Sequence, residues 1–404
     1  MNNKLSHAAG SWIVGAAFFI TMAFGTLPTP LYALYQQRDG FSTFTLTVVF
    51  AGYAFGVMAS LYLAGHLSDR LGRRRVALAA VLLELLSAGI FLLWPEVPGL
   101  ILARFVSGLG VGVITATATA HVAELRQLGR PGEHPRRASM LSTAANLGGL
   151  AVGPLIAGLL AQYVRSPLTT PYVVFVLLLA ISALGLALVP ETVTPPAERV
   201  PYRPQRVSVP REARGTFLAA GAGVVSAFAI LGLFTSVAPT FLSGTLHETS
   251  RVLAGAVPFA VFAAAALSQI VLSAMTVRNQ LKLGTALMAA GLVAIAAAVV
   301  FPSLALFVVG GIVAGAGVGL VFRTSVASAA SLATPDSRGE VLAAIFLVGY
   351  SGLSLPVMAI GLALLVFPTT VVLPAFALLA LLGVLYSATR LLAPPPAPVV
   401  PTAV

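Results

Sequence analysis

Apolar runs long enough to cross a bilayer recur along almost the whole chain, and charged residues gather in the short gaps between them. The stretches 173–189, 284–300 and 304–321 carry no charge at all. A hydrocarbon core about 30 Å thick needs roughly 20 such residues per helix. Inside lipid the backbone must satisfy its own hydrogen bonds, so separate spans of this kind form helices. The pattern predicts twelve: 12–36, 44–64, 76–94, 99–120, 139–161, 171–190, 215–240, 252–273, 284–301, 304–328, 340–362 and 369–389. The fold class is an all-α membrane protein.

Composition agrees with the pattern. Of 404 residues, 58% are hydrophobic and 9% charged. The gaps leave no room for a soluble catalytic domain, so an enzyme is not expected. The net charge of +11 would suit nucleic acid, but its placement points elsewhere. With the amino terminus inside, eighteen Lys and Arg fall in inner segments and only Arg38, Arg165 and Arg251 in outer ones. That asymmetry is the positive-inside rule, and it predicts a plasma (inner) membrane protein with both termini in the cytoplasm. No basic motif with interleaved aromatics suggests nucleic-acid binding. The chain has no cysteine, which removes disulfides and thiolate chemistry. Its start looks like a signal peptide, but it lacks a small-x-small cleavage site and reads as a retained first helix.

The longest polar stretch, 191–214, holds five Arg and five Pro. Proline at that density predicts an extended linker. The expected organisation is a six-helix bundle over 1–190, a cytoplasmic linker over 191–214, a second six-helix bundle over 215–390 and a disordered tail over 391–404. The halves echo each other. Gly108-Leu-Gly110-Val-Gly112 returns as Gly315-Ala-Gly317-Val-Gly319, Pro28-Thr29 as Pro239-Thr240, and Gly149-Leu150 with Pro154 as Gly352-Leu353 with Pro356. Paired halves around a site at mid-depth are a common transporter design.

Three motifs stand out. After the second span comes Gly65-His66-Leu67-Ser68-Asp69-Arg70-Leu71-Gly72-Arg73-Arg74-Arg75. Gly65 allows close helix approach, Asp69 suits the positive end of a neighbouring helix, and Gly72 permits a tight turn. The fourth span carries Arg104-Phe-Val-Ser-Gly108-Leu-Gly110. An arginine within the hydrocarbon is costly and marks function unless it snorkels to the outer interface. The fifth span carries Gly149-Leu-Ala-Val-Gly153-Pro154-Leu-Ile-Ala-Gly158, small residues for close packing around a bend.

These segments resemble motifs A, B and C of the major facilitator superfamily, most closely its twelve-helix drug and metabolite proton antiporters. The resemblance covers the chain through topology, linker and repeat. It implies two pseudo-symmetric bundles and a gating latch of Gly65, Asp69, Arg70, Gly72, Arg73 and Glu124. In that latch Asp69 would meet the start of the eleventh helix and Arg73 would meet Glu124. It implies proton coupling at Arg104 and antiporter-type packing at Gly149, Gly153, Pro154 and Gly158. Ala157 and Met140 depart from the third motif, each standing where the family carries a glycine. The second half keeps Arg278, Lys282 and Gly284 of the loop motif but lacks its Asp.

Glu84 lies mid-span in the third helix, where a carboxyl is expensive to ionise. It is either a proton carrier or a neutral group bonded to backbone. Tyr32 and Tyr35 end the first helix and fit either a substrate cavity or an interfacial belt. Arg323 either lines the cavity, pairs with Asp336 or snorkels. No metal-ligand spacing and no phosphate-binding glycine loop occurs, so no metal and no cofactor beyond a proton gradient is expected. The expected function is secondary transport, with proton-coupled efflux of small molecules by alternating access. The expected partners are the substrate, protons and the lipid bilayer, with the protein a monomer. The alternatives are a proton symporter or facilitator importing a sugar or organic anion and, more remotely, a non-transporting membrane sensor.

Overall fold

The computed structural model describes residues 5–65, 67–193, 204–205, 207–209, 211–334 and 337–393. Twelve long helices dominate them: α1 (His7–Thr26), α2 (Thr43–Ala64), α3 (Arg73–Leu93), α4 (Val97–Gly129), α5 (Arg136–Tyr163), α6 (Thr170–Leu188), α7 (Arg214–Ser236), α8 (Arg251–Val271), α9 (Val277–Val300), α10 (Leu304–Ala330), α11 (Arg338–Ala363) and α12 (Thr369–Leu392). All twelve carry windows apolar enough to span a membrane. Side chains begin several of them. Ser6, Ser42, Ser250, Thr276 and Ser303 each accept from a backbone N–H three residues on, meeting a donor the helix leaves free.

Packing repeats at an interval of six helices. α2 packs on α4, α3 on α4, α1 on α5 and α3 on α6; likewise α8 packs on α10, α9 on α10, α7 on α11 and α9 on α12. Two six-helix bundles result, joined mainly by α5 against α8 and α2 against α11.

The repeated glycines explain how the centre of each bundle closes. A side chain at Gly108 would strike the Tyr53 carbonyl of α2, and one at Gly112 would strike Ser60. Gly110 faces the other way, onto Ala80 and Glu84 of α3. In the second bundle Gly315 and Gly319 face Val261 and Ala265 of α8, while Gly317 faces Gly284 and Met288 of α9. Alternate glycines therefore let one helix press against two neighbours at once. A Gly317→Val substitution overpacks this crossing and is expected to cost about 1–3 kcal/mol. Thermal unfolding in detergent checks it, and an unchanged melting temperature would contradict the packing role.

Several expected boundaries move. The first span, expected over 12–36, begins five residues earlier, at His7. It breaks after Thr26 into a 3₁₀ turn, Thr29–Leu31, and a short helix, Tyr32–Asp39. Pro28 and Pro30 supply no backbone donor, so one continuous helix cannot form. The seventh span ends at Ser236 and restarts as Ala238–Gly244, with Pro239 in its first turn. The fourth, expected to end at 120, runs on to Gly129. At 1.5 Å per residue α4 is about 50 Å long, so one end must leave the hydrocarbon. That end is polar because Glu124 and Arg126 find ionic partners there. The expected tail over 391–404 begins late, since α12 includes Leu391 and Leu392. The rest of that tail from 394, most of the expected linker, Lys4, His66, Asp336 and the Arg338 side chain lie outside the described residues.

Candidate functional site

The end of the molecule bearing Arg73, Arg126 and Arg136 is here termed the arginine-rich end. At the opposite end the bundles are tied together. Thr240 donates to the Gln36 amide oxygen at 3.0 Å, and Arg251 donates to Gln162 at 2.9 Å and to the Ala161 carbonyl at 2.6 Å. α5 crosses α8 where Gly158 meets Gly255, close enough that a side chain at Gly255 would strike the Pro154 carbonyl. Gly149 and Gly153 bring the other face of α5 onto Phe19, Met22 and Ala23 of α1. Pro154 and Gly158 thus hold a seam between bundles, while Gly149 and Gly153 hold one within a bundle. Ala157 is fully buried and Met140 is exposed.

Tyr32 and Tyr35, expected near a substrate cavity, are packed into this closed end with 2% and 1% of their surface exposed. Tyr35 shares a 3.3 Å hydrogen bond with Tyr172. Neither tyrosine lines the central cavity.

The central cavity, about 100 Å³, lies at mid-depth between the bundles. Phe50, Tyr53, Arg104 and Asn146 face it from the first half; Phe228, Gln269, Phe322 and Tyr350 face it from the second. A vestibule of about 240 Å³ at the arginine-rich end shares Gln269 with it and is lined by Arg136, Ser273 and Arg323. Arg323 donates to the Gln269 carbonyl at 2.7 Å. On α4, Ala116, Thr119 and Ala123 are exposed along one face, as expected where a helix borders open space. Hydrogen bonds between the bundles close one end of this path, and the vestibule continues it toward the other.

Arg104 is buried with 2% exposure and does not snorkel. Its guanidinium donates to the Gly25 carbonyl at 2.6 Å, just before the break in α1. It also lies 4.4 Å from the centre of the Tyr53 ring and 5.8 Å from that of Phe50. Cation–π contacts offset part of the cost of burial, by about 0.5–2 kcal/mol each. Its Nε has no hydrogen-bond partner. Glu84 is fully buried on α3, with neither carboxyl oxygen partnered and the Gly110 backbone packed against it. It forms no ion pair with Arg104 within 4.0 Å.

At the arginine-rich end Arg73 organises a charged knot. It meets Glu124 of α4 at 3.0 Å, Asp69 at 2.5 Å and the Ser68 hydroxyl at 2.7 Å. Gly72 takes φ of 99°, a left-handed turn that starts α3. Asp69 keeps 60% of its side chain exposed and pairs with Arg73. Arg70 lies on the same short helix, Leu67–Leu71. Gly65 ends α2 and lies near the Gln205 side chain of the linker, 3.9 Å from where its own side chain would begin.

The sequence reading missed Glu191. Its carboxylate accepts from the backbone N–H of Arg73 at 2.8 Å and of Arg74 at 3.2 Å, capping α3 from the end of α6. A side chain at Gly72 would collide with it. Thr192 donates to Glu124 at 2.6 Å, which binds the start of the linker to the same knot. The signal was an acid directly after a span, facing a basic loop. Asn146 and Gln269 were missed too, although each is an amide in an apolar run.

A second knot joins α4 to α5. Glu133 meets Arg126 at 2.9 Å, Arg137 at 3.2 Å and Arg130 at 3.6 Å. Desolvation works against ionising Glu133, but the hydrogen bond from Arg137 and the charges of Arg126 and Arg130 outweigh it and hold its carboxyl below the usual range. A depressed carboxylate stabilises above its unfolded pKa, and that contribution is lost as pH falls through the folded value.

The chain is similar to several known proteins. A sequence profile described as Major Facilitator Superfamily matches residues 13–357. The arabinose-proton symporter of Bacillus subtilis is 34% identical over 94 residues, 23% of this chain and 19% of that protein. The multidrug resistance protein MdtM of Salmonella typhimurium is 33% identical over 165 residues, 41% of this chain and 38% of that protein. The matched stretches therefore span less than half of either relative. In structure the chain is similar to the human organic anion transporter MFSD10 (TETRAN), with a TM-score of 0.66 at 15% identity over 95% of this chain and 100% of that one. At that identity the likeness concerns the fold.

Proposed function

The chain belongs to the major facilitator superfamily of membrane transporters, and on that premise we propose that it exports small molecules by alternating access, driven by protons moving inward. One observation carries the reading: a cavity between two bundles, sealed at one end and open at the arginine-rich end. Two bundles that rock about such a cavity expose it to each side in turn. The positive-inside rule makes the arginine-rich end cytoplasmic, so the structure is the state that loads an exported cargo. Export is supported by the α5–α8 seam at Pro154, Gly158 and Gly255 and by the likeness to MdtM. The moving units are residues 1–190 and 215–390, coupled through the 191–214 linker, and the protein acts as a monomer.

Within this scheme Glu84 carries the proton, since an unpartnered carboxyl buried beside α4 gains or loses a charge that its surroundings must answer. Arg104 supplies the fixed charge. The Arg73 knot, with Glu124, Asp69 and Glu191, latches the arginine-rich end when the other end opens.

Everted vesicles with an imposed pH gradient test the direction. Exported compounds added outside are expected to dissipate the gradient, and a Glu84→Gln variant is expected to bind them without moving protons. Unchanged proton flux in Glu84→Gln would remove Glu84 as carrier. Proton-driven uptake into whole cells, with no dissipation in everted vesicles, would overturn export. That second reading, symport inward, is favoured by the likeness to the arabinose-proton symporter and by a cavity in which no carboxylate among the described residues is placed to attract a cationic drug.

A further inference from the structure

Resting on the transport reading above, though on neither direction of it, we propose that the cargo is an organic anion with a flat, apolar body. Three arginines mark the path at increasing depth. Arg136 and Arg323 face the vestibule, and Arg104 faces the central cavity. None of the three has an ion-pair partner among the described residues, and no carboxylate among those residues lines either space.

Each guanidinium is only partly occupied. Arg136 donates to the Ser273 hydroxyl, Arg323 to the Gln269 carbonyl and Arg104 to the Gly25 carbonyl. The Nε of Arg104 is buried with no partner. A buried cation without a countercharge is costly, and a carboxylate or sulfonate on the cargo would relieve that cost through charge-assisted hydrogen bonds. An ammonium cargo would meet three like charges. A neutral cargo would leave Arg104 as it stands.

The rest of the cavity sets the other half of the preference. Phe50, Tyr53, Phe262, Phe322, Phe346 and Tyr350 surround the space next to Arg104. Their faces and edges suit an aromatic or similarly flat body. A single anionic head on such a body matches one guanidinium in an aromatic chamber. The outer pair, Arg136 and Arg323, would draw the anion in from the aqueous side.

A matched series on the purified full chain tests the charge preference: naphthaleneacetate, naphthaleneacetamide and naphthylethylammonium. All three present the same ring with a different head. Thermal stabilisation across a range of concentrations gives apparent affinities. The carboxylate is expected to bind about ten-fold or more tighter than the amide, and the ammonium not to stabilise. Arg323→Gln, and separately Arg136→Gln on the exposed rim, are expected to weaken the carboxylate selectively and leave the weak amide response in place. Equal stabilisation by all three, a preference for the ammonium, or no response to the carboxylate overturns the proposal. Vesicle flux is read separately. Binding of the carboxylate without flux would sink the transport reading and uphold the charge preference, whereas flux of the ammonium alone would do the reverse.

Discussion

An Arg104→Gln variant is expected to remain folded, with a lowered melting temperature, and to transport at the level of empty vesicles. Arg104 ties α4 to the broken end of α1 through the Gly25 carbonyl at 2.6 Å and rests on Tyr53 at 4.4 Å. It is also the charge presented to the central cavity. A hydrogen bond from a charged group is worth about 1.5–3 kcal/mol, and a desolvated cation–π contact about 2 kcal/mol. Each 1.36 kcal/mol is about ten-fold in rate, so the combined loss amounts to roughly a hundred-fold or more. Glutamine keeps an amide donor group but is shorter and neutral, and it cannot reach both Gly25 and the cavity. Arg104→Lys restores the charge without the planar fork and is expected to recover only a small part of the flux. Flux assays on reconstituted protein decide this, with melting temperature as the control for folding. Flux by Arg104→Gln within two-fold of the parent would show that the buried charge is dispensable.

Breaking the knot at the arginine-rich end gives the second large effect, and of a different kind. Arg73 has only 13% of its side chain exposed, and it bonds Asp69, Glu124 and Ser68 together. None of these residues lines the central cavity. Arg73→Gln should therefore slow turnover by about ten-fold, in line with the 3–5 kcal/mol lost when a buried pair is broken, discounted for partial exposure. Substrate affinity should stay within about two-fold, since binding is not touched. Glu124→Gln should act in the same way, and the double variant should add little to either single one. Asp69→Asn should slow turnover less, because Asp69 is mostly exposed here and would act when the bundles close. Loss of affinity at normal turnover in Arg73→Gln would refute the latch.

The fold was legible because lipid leaves a chain few choices. Twelve apolar runs predict twelve helices, and twelve long helices are found among the described residues. The glycine triplets at 108–112 and 315–319 marked the duplication, and the structure explains their spacing: alternate members face different neighbours. Ends were harder to place. α4 continues nine residues beyond the expected 120 because its polar last turns are held by Arg73 and Glu133, partners that hydropathy does not register. The site was only partly legible. Glu124 was named as the partner of Arg73 from family resemblance, and the two lie 3.0 Å apart. Glu191 stands out in the sequence only as an acid directly after a span, and its role depends on α6 ending beside the start of α3. Likewise Tyr32 and Tyr35 sit at the expected depth, but which end of the molecule is sealed decides whether they meet cargo or each other's neighbours.

The exchange of a sealed end for an open one can be tested with a single bridge. The chain has no native cysteine, so an introduced pair reacts alone. Gln36 and Thr240 come from opposite bundles and touch at 3.0 Å in the sealed end. Gln36→Cys with Thr240→Cys, bridged in the membrane by a short bifunctional methanethiosulfonate, should stop flux, and reduction should restore it. Full flux with the bridge quantitatively formed would mean that the sealed end never has to part.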